Sequence, residues 1–229
     1  MITELDYLYH SGPIPGEPSY RKITYNSMIN PVDIIPDIVG TGSLIKHFAY
    51  DNRGRMIFFA TVFVPGGAGT SFPHWHNYKD DQYDRIIIDS DYNSGDAGNL
   101  ENAHNYSYIQ LSYDKLNRID REITKYFPLG PTNEFIVDTA YYNYDERGNL
   151  AGQFYANDSN PSPLLTNKLW RSLERDYSVN NRVKPATFND HRLPTLYKDP
   201  ELPYIGVFEV GGGSSLDVAI HYDCSGDPD

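Results

Sequence analysis

The stretch YYNYDERGNL, residues Tyr141 to Leu150, holds the end of an aromatic strand, a reversal over Asp145-Glu146-Arg147-Gly148, and the start of a second strand. Asp145 suits the opening of a type I turn because its side chain can bond backbone amides two residues on. Gly148 tolerates the left-handed conformation that closes a three-residue hairpin loop with a bulge. The stretch therefore predicts a β-hairpin, and it carries no catalytic chemistry.

The pattern recurs. Tyr50-Asp51-Asn52-Arg53-Gly54-Arg55-Met56 and Tyr113-Asp114-Lys115-Leu116-Asn117-Arg118-Ile119 match it, with Asn117 standing in for Gly as the other residue that accepts positive φ. Asp80-Asp81-Gln82-Tyr83-Asp84-Arg85-Ile86 is a degenerate copy, and Tyr177-Ser178-Val179-Asn180-Asn181-Arg182-Val183 is a further one. Turn openings at 51, 81, 114, 145 and 178 are separated by 30, 33, 31 and 33 residues, the near-constant period of stacked supersecondary units. Phe188-Asn189-Asp190-His191-Arg192-Leu193 is a sixth, offset candidate that competes with the Ser178 copy for the last hairpin.

The Tyr-Asp-x-x-Gly-Arg pattern resembles the YD repeat of Rhs-type proteins. The stretch from Pro163 to Thr195, with PLLTNKLWRSLERDYSVNNRV followed by FNDHRLPT, is similar to YD-repeat-like lipoproteins of the Bacteroidetes kind. The resemblance spans residues 20 to 223. It implies antiparallel β architecture on an exported protein, periplasmic or anchored at the outer-membrane surface, touching the membrane only through an N-terminal lipid anchor removed before this numbering begins. It implies no catalytic residues. The copies are far fewer than in a large Rhs shell, and one has lost both Tyr and Gly, which argues against a closed capsule.

Composition points the same way. Of 229 residues, 20 are Tyr, 10 Phe and 2 Trp, and amphipathic Tyr suits strands with one wet face. The formal net charge is −12, with no Lys/Arg cluster longer than a pair, so phosphate backbones and anionic lipid surfaces are repelled. Nucleic acid is thus excluded as a partner, and cations are favoured. A single cysteine, Cys224, excludes a disulfide framework.

Along the chain, residues 1–19 hold three prolines and two glycines without strand alternation, and predict a tether or a segment covering the sheet. Residues 20–229 are expected to form one YD-repeat-like β domain. Strands are expected at 21–26, 32–35, 43–50, 55–64, 85–89, 106–113, 118–127, 134–144, 149–155, 204–210 and 216–222, with an acidic loop over 89–105 and a short hairpin around Asn189. Leu165, Leu169 and Leu173 fall four apart with Trp170 beside them, and Ser162-Pro163 supplies an N-cap and a first-turn proline, so one short helix is expected over 162–175. The fold class is all-β: an antiparallel, curved meander of YD-type hairpins with one short helix.

Four groups of residues could carry chemistry. Asp89, Asp91, Asn93 and Asp96 offer oxygen ligands in an acidic loop, as a Ca²⁺ ion needs, although Asp and Asn are equally ordinary turn formers. His74 and His76, two apart on a strand, point to one face and could hold Zn²⁺, with His104 or Asp80 as the third ligand; surface histidines flanking a buried Trp75 fit the same pattern. Glu122, Glu134 and Asp138 lie on facing strands and could work as acid and base, or simply alternate on a wet face. Tyr106, Tyr108, Tyr141, Tyr142 and Tyr155 could stack on sugars or dock an envelope protein, or serve as cross-strand pairs. No nucleophile elbow or HExxH is present. The function expected is a non-catalytic binding or scaffold protein of the cell envelope, with a glycan-processing enzyme built on sheet-face carboxylates as the alternative.

Overall fold

The computed structural model describes residues 1–9, 18–37, 44–63, 74–93, 104–127, 135–152, 157–181, 185–198 and 216–224. Among the described residues, thirteen strands run in chain order as β1 (Ile2–Tyr9), β2 (Pro18–Tyr25), β3 (Pro31–Pro36), β4 (Leu44–Tyr50), β5 (Met56–Phe63), β6 (His74–Asp80), β7 (Ile86–Asn93), β8 (His104–Tyr113), β9 (Ile119–Tyr126), β10 (Ile136–Tyr141), β11 (Thr187–Phe188), β12 (Pro194–Tyr197) and β13 (Leu216–Tyr222). One 3-10 turn (Pro163–Thr166) and one helix, α1 (Lys168–Leu173), precede β11. The fold is an antiparallel β meander, as expected. The residues fall into two compact units, 24–142 and 1–23 with 143–229.

In the 24–142 unit, β3 to β10 pair in sequence order, each antiparallel to the next. In the other unit, β1 lies between β2 and β13, and β13 is followed by β12 and β11.

Among the described residues, six reversals share one design, opened by Asn26, Asp51, Asp81, Asp114, Asp145 and Asn189. In each, the opener's N–H donates to the carbonyl four residues on (2.8–3.0 Å), and the N–H of the third residue on donates back to the opener's carbonyl (2.9–3.2 Å). The opener's side-chain oxygen also accepts the amide four residues on, at 2.8–3.1 Å. In the first five it accepts the amide two residues on as well. Closing the ring requires a left-handed residue third after the opener, and all six have one: Ile29, Gly54, Asp84, Asn117, Gly148 and Arg192, with φ from 58 to 83°. The position two further on is always buried: Pro31, Met56, Ile86, Ile119, Leu150 and Pro194. Each turn thus drives an apolar side chain into the core immediately after reversing the chain.

Neighbouring turns are stapled. Asn30 Nδ2 donates to the Gly54 carbonyl, Arg53 to Asp84, and Arg85 to Asn117 (3.3, 2.9 and 2.9 Å). The tyrosine preceding the opener reaches back to the previous turn: Tyr50 Oη donates to the Pro31 carbonyl (2.5 Å) and Tyr113 Oη to that of Ile86 (2.6 Å). Where the degenerate copy has Asp80 in this place, burial raises its carboxyl above the ordinary value. The same arrangement appears where β13 meets β1. Tyr222 pairs with Ile2 across a register shift, the Asp223 N–H donates to the Met1 carbonyl (2.8 Å), and Tyr222 Oη donates to the Pro194 carbonyl (2.8 Å).

Five expectations change. Residues 2–9 form a strand seated between two others, not a tether, because β13 offers a full antiparallel register from Ile2 to Tyr9. Asn26 opens a turn that was not foreseen. Ser178 opens none: its Oγ accepts the Leu150 amide (2.9 Å), and residues 178–181 run beside 158–162, leaving the last reversal to Asn189. The helix over 162–175 breaks at Asn167, which is extended (φ −152°) and caps α1 through Leu169, so Leu165 is left 39% exposed while Leu169 and Trp170 are buried. Leu150 makes a single bridge to Tyr144 and the chain turns again at 151–152, where a strand was expected. The strand expected at 204–210 lies outside the described residues.

The shared turn makes two outcomes measurable. Asp114→Asn keeps an oxygen acceptor for both amides, as Asn26 does natively, and loses the charged contacts from Arg118 Nε and Nη2 (2.8 and 2.7 Å). Asp114→Ala loses all of these and should destabilise the protein by about 1–3 kcal/mol in chemical denaturation, more than the Asn variant. The second outcome is acid sensitivity. The Arg55 side chain and amide hold the Asp51 carboxyl down from 3.8 to about 2. At Asp145 the Asn149 amide leads the lowering, and at Asp81 and Asp114 arginine and amide bonds outweigh an opposing effect of burial. A depressed carboxyl contributes stability that is present above its unfolded value and lost as pH falls through its folded value. The melting temperature should therefore fall between about pH 4 and pH 2, and Asp51→Asn should flatten that fall.

Candidate functional site

Strands β6 and β7 leave the Asp81 turn as a hairpin whose register slips by one residue between Lys79 and Asp80. Beyond the slip, His74 sits opposite Asn93, His76 opposite Asp91, and Tyr78 opposite Asp89. Alternation along each strand puts all six on one face of the sheet. Trp75 points to the other face, where it is fully buried and stacked on Tyr92 (4.2 Å, 12°).

On the shared face, His74 Nε2 lies 2.6 Å and His76 Nε2 3.9 Å from Asp91 Oδ1. His76 Nδ1 lies 2.7 Å from Asp89 Oδ1. An ionised carboxylate only accepts, so the proton of that bond sits on His76 Nδ1 and Nε2 is left turned toward Asp91. Ser107, opposite Asp91 on β8, donates its Oγ to Asp91 Oδ2 (3.2 Å). Asp89 and Asp91 are 3% and 7% exposed, Ser107 2%. Phe59 and Tyr78 flank the His76 ring at 5.6 and 5.9 Å between centroids. Asp91 holds the His74 imidazole above its ordinary pKa, partly offset by burial.

The arrangement gathers His74, His76 and Asp91, each offering one ligand atom, within 4.8 Å of one another. Two imidazole nitrogens and a carboxylate oxygen can hold a divalent cation. A second grouping, Glu4, Asp6 and His221, joins β1 and β13, with His221 Nε2 2.8 Å from Asp6 Oδ2.

The acidic stretch is placed differently from expectation. Asp89 to Asn93 is strand, not loop, so Asp89 and Asp91 face the histidines rather than wrapping an ion among themselves; Asp96 lies outside the described residues. The group that the hairpin register places beside the histidine pair is Asp91. Asp80 stands at the far end of β6, four residues from His76 and about 13 Å away along the strand. His104 pairs with Asn93 through the backbone.

The tyrosines divide. Tyr108 and Tyr141 share a face of β8 to β10 through the registers Tyr108 to Lys125 and Arg121 to Tyr141. Tyr142 takes the opposite side and donates its Oη to Glu122 Oε2 (3.3 Å). Tyr106 lies in β8, and Tyr155 is outside the described residues. Glu122 also accepts from Thr124 (3.1 Å), while Asp138 sits diagonally across on β10 and accepts its neighbour's amide. Glu134 is outside the described residues.

No family model matches the chain, and no curated protein matches it. The bond from His76 to Asp89 has a direct spectroscopic check. A long-range ¹⁵N–¹H spectrum should place the proton on Nδ1 in the wild type, and Asp89→Ala should redistribute it between the two nitrogens; an Nε2–H ring in the wild type would contradict the geometry.

Proposed function

We propose that the protein is a non-catalytic binding or scaffold protein of the cell envelope, of the YD-repeat kind, exported and presenting a β framework to a glycan or protein partner. The observation that carries this reading is β10. All six of its residues are exposed, and Ile136, Val137 and Tyr141 are 63, 57 and 71% exposed, with Phe135 beside them at 57%. Exposed apolar and aromatic groups gathered on one strand mark an interaction site, since a surface that binds nothing gains nothing by leaving them wet. The Glu122 carboxylate on the adjacent strand accepts from the Thr124 and Tyr142 hydroxyls, and Asp138 accepts a backbone amide, which suits a framework better than an acid and base pair.

The test is retention of the purified protein on isolated envelope fractions and on a polysaccharide panel. The wild type should be retained, and Val137→Lys with Tyr141→Lys should weaken retention at least tenfold without lowering the melting temperature. Retention equal in both proteins would overturn the reading. Hydrolysis of any polysaccharide by the wild type, abolished by Glu122→Gln, would establish the enzyme instead.

A further inference from the structure

We propose that His74, His76 and Asp91 form a binding site for one divalent transition-metal ion of the zinc class, with the fourth position open to solvent on the His74 side. The proposal is independent of the envelope role.

Three observations meet here. First, the hairpin register fixes the ligand set. His76 and Asp91 are directly opposed, with His74 one alternation further along β6, so the backbone delivers all three side chains to one spot. Second, Asp91 is only 7% exposed, and its Oδ1 faces both imidazoles, 2.6 Å from His74 Nε2 and 3.9 Å from His76 Nε2. A buried carboxylate needs a positive partner, which a protonated His74 supplies without metal and a cation held among the three groups supplies in its place. Third, the outer contacts are those a metal ligand needs. Asp89, itself buried, accepts a hydrogen bond from His76 Nδ1–H and so aims Nε2 inward, and the Ser107 hydroxyl donates to the other oxygen of Asp91. A carboxylate behind a ligating imidazole fixes its tautomer and strengthens it as a ligand.

Geometry and chemistry select the ion. Bonds of 2.0–2.1 Å in a tetrahedron place ligand atoms about 3.3 Å apart. The separations of 2.6 and 3.9 Å from Asp91 Oδ1 bracket that value, so His74 backs away and His76 closes in, each by less than about 1 Å. His74 can make that adjustment because it begins β6 with its side chain 48% exposed. Two imidazoles and one carboxylate suit zinc, cobalt, nickel or copper ions. Calcium wants six to eight oxygens, and the three groups supply one.

The experiment titrates Zn²⁺, Co²⁺ and Ca²⁺ into the metal-stripped full chain by calorimetry, with the melting temperature and the Co²⁺ visible spectrum as independent readouts. One equivalent of Zn²⁺ or Co²⁺ should bind, the melting temperature should rise with free metal as mass action requires, and the Co²⁺ bands should have tetrahedral intensity. His74→Gln, at an exposed strand end, should fold as the wild type does and weaken binding at least tenfold. Asp89→Asn should weaken it about 10–100-fold while leaving the band positions in place, and His221→Ala should leave it unchanged. Absence of saturable Zn²⁺ or Co²⁺ binding would overturn the proposal. So would binding that survives His74→Gln, binding lost in His221→Ala, or Ca²⁺ bound more tightly than Zn²⁺.

Discussion

A single side-chain oxygen bonding the amide four residues ahead, and in five of six turns the amide two ahead as well, is the interaction on which the architecture rests. A sharp reversal leaves backbone N–H groups pointing inward with no strand to receive them, and buried donors must be satisfied. Asp and Asn are the residues short enough to reach those amides from the first position. Once that oxygen is in place the third residue must turn left-handed, which explains why Gly, Asn and Asp occupy most of those sites, and why Ile29 and Arg192 sit there at a steric cost of about 1–2 kcal/mol. Arginine at the fourth position adds a charged bond to the second carboxylate oxygen in three copies, tightening the loop without changing its shape.

The sheet of residues 24–142 is unusual in what it buries on one face. The cross-strand registers align Lys46, Asp89, Asp91, Ser107 and Thr124 on the side that carries His74 and His76, and all five are less than 9% exposed. The opposite side buries Trp75 and Ala60 in the ordinary apolar manner. Buried polar groups held in hydrogen bonds restrict a sheet to one register more sharply than interchangeable aliphatic side chains do, since a slip of one residue would strand every partner.

Much of this was legible in the sequence, and the exceptions have identifiable causes. Asp51, Asp114 and Asp145 announce themselves because the opener, the left-handed residue and the preceding tyrosine are close together in sequence, and Asp81, which follows Asp80, falls into place by the period. Asn26 carries the same opener after Tyr25 but hides behind Ile29, a residue no turn rule would place at positive φ. Ser178 satisfies the spacing, yet its hydroxyl is taken by Leu150, a partner 28 residues away that no local pattern reveals. The strand at residues 2–9 was obscured for the same reason: its stabilising neighbour, β13, lies more than 200 residues on. At the candidate centre, His74, His76, Asp89 and Asp91 were each singled out, but joining them required the one-residue slip beside the Asp81 turn. Counting outward without it sets His76 against Ser90 and sends the carboxylates to the wrong face.

The staples from Asn30 to Gly54, Arg53 to Asp84 and Arg85 to Asn117 join each reversal only to the next. Coupling of that kind is short-ranged: a chain of units linked to immediate neighbours behaves as a one-dimensional lattice, in which a lesion is felt strongly one unit away and weakly two away. A terminal hairpin can open while its interior fellows stay shut, and copies can be gained or lost over evolutionary time without rewriting the remainder. The degenerate copy at Asp81, with its missing tyrosine and glycine, survives between two well-formed neighbours on those terms.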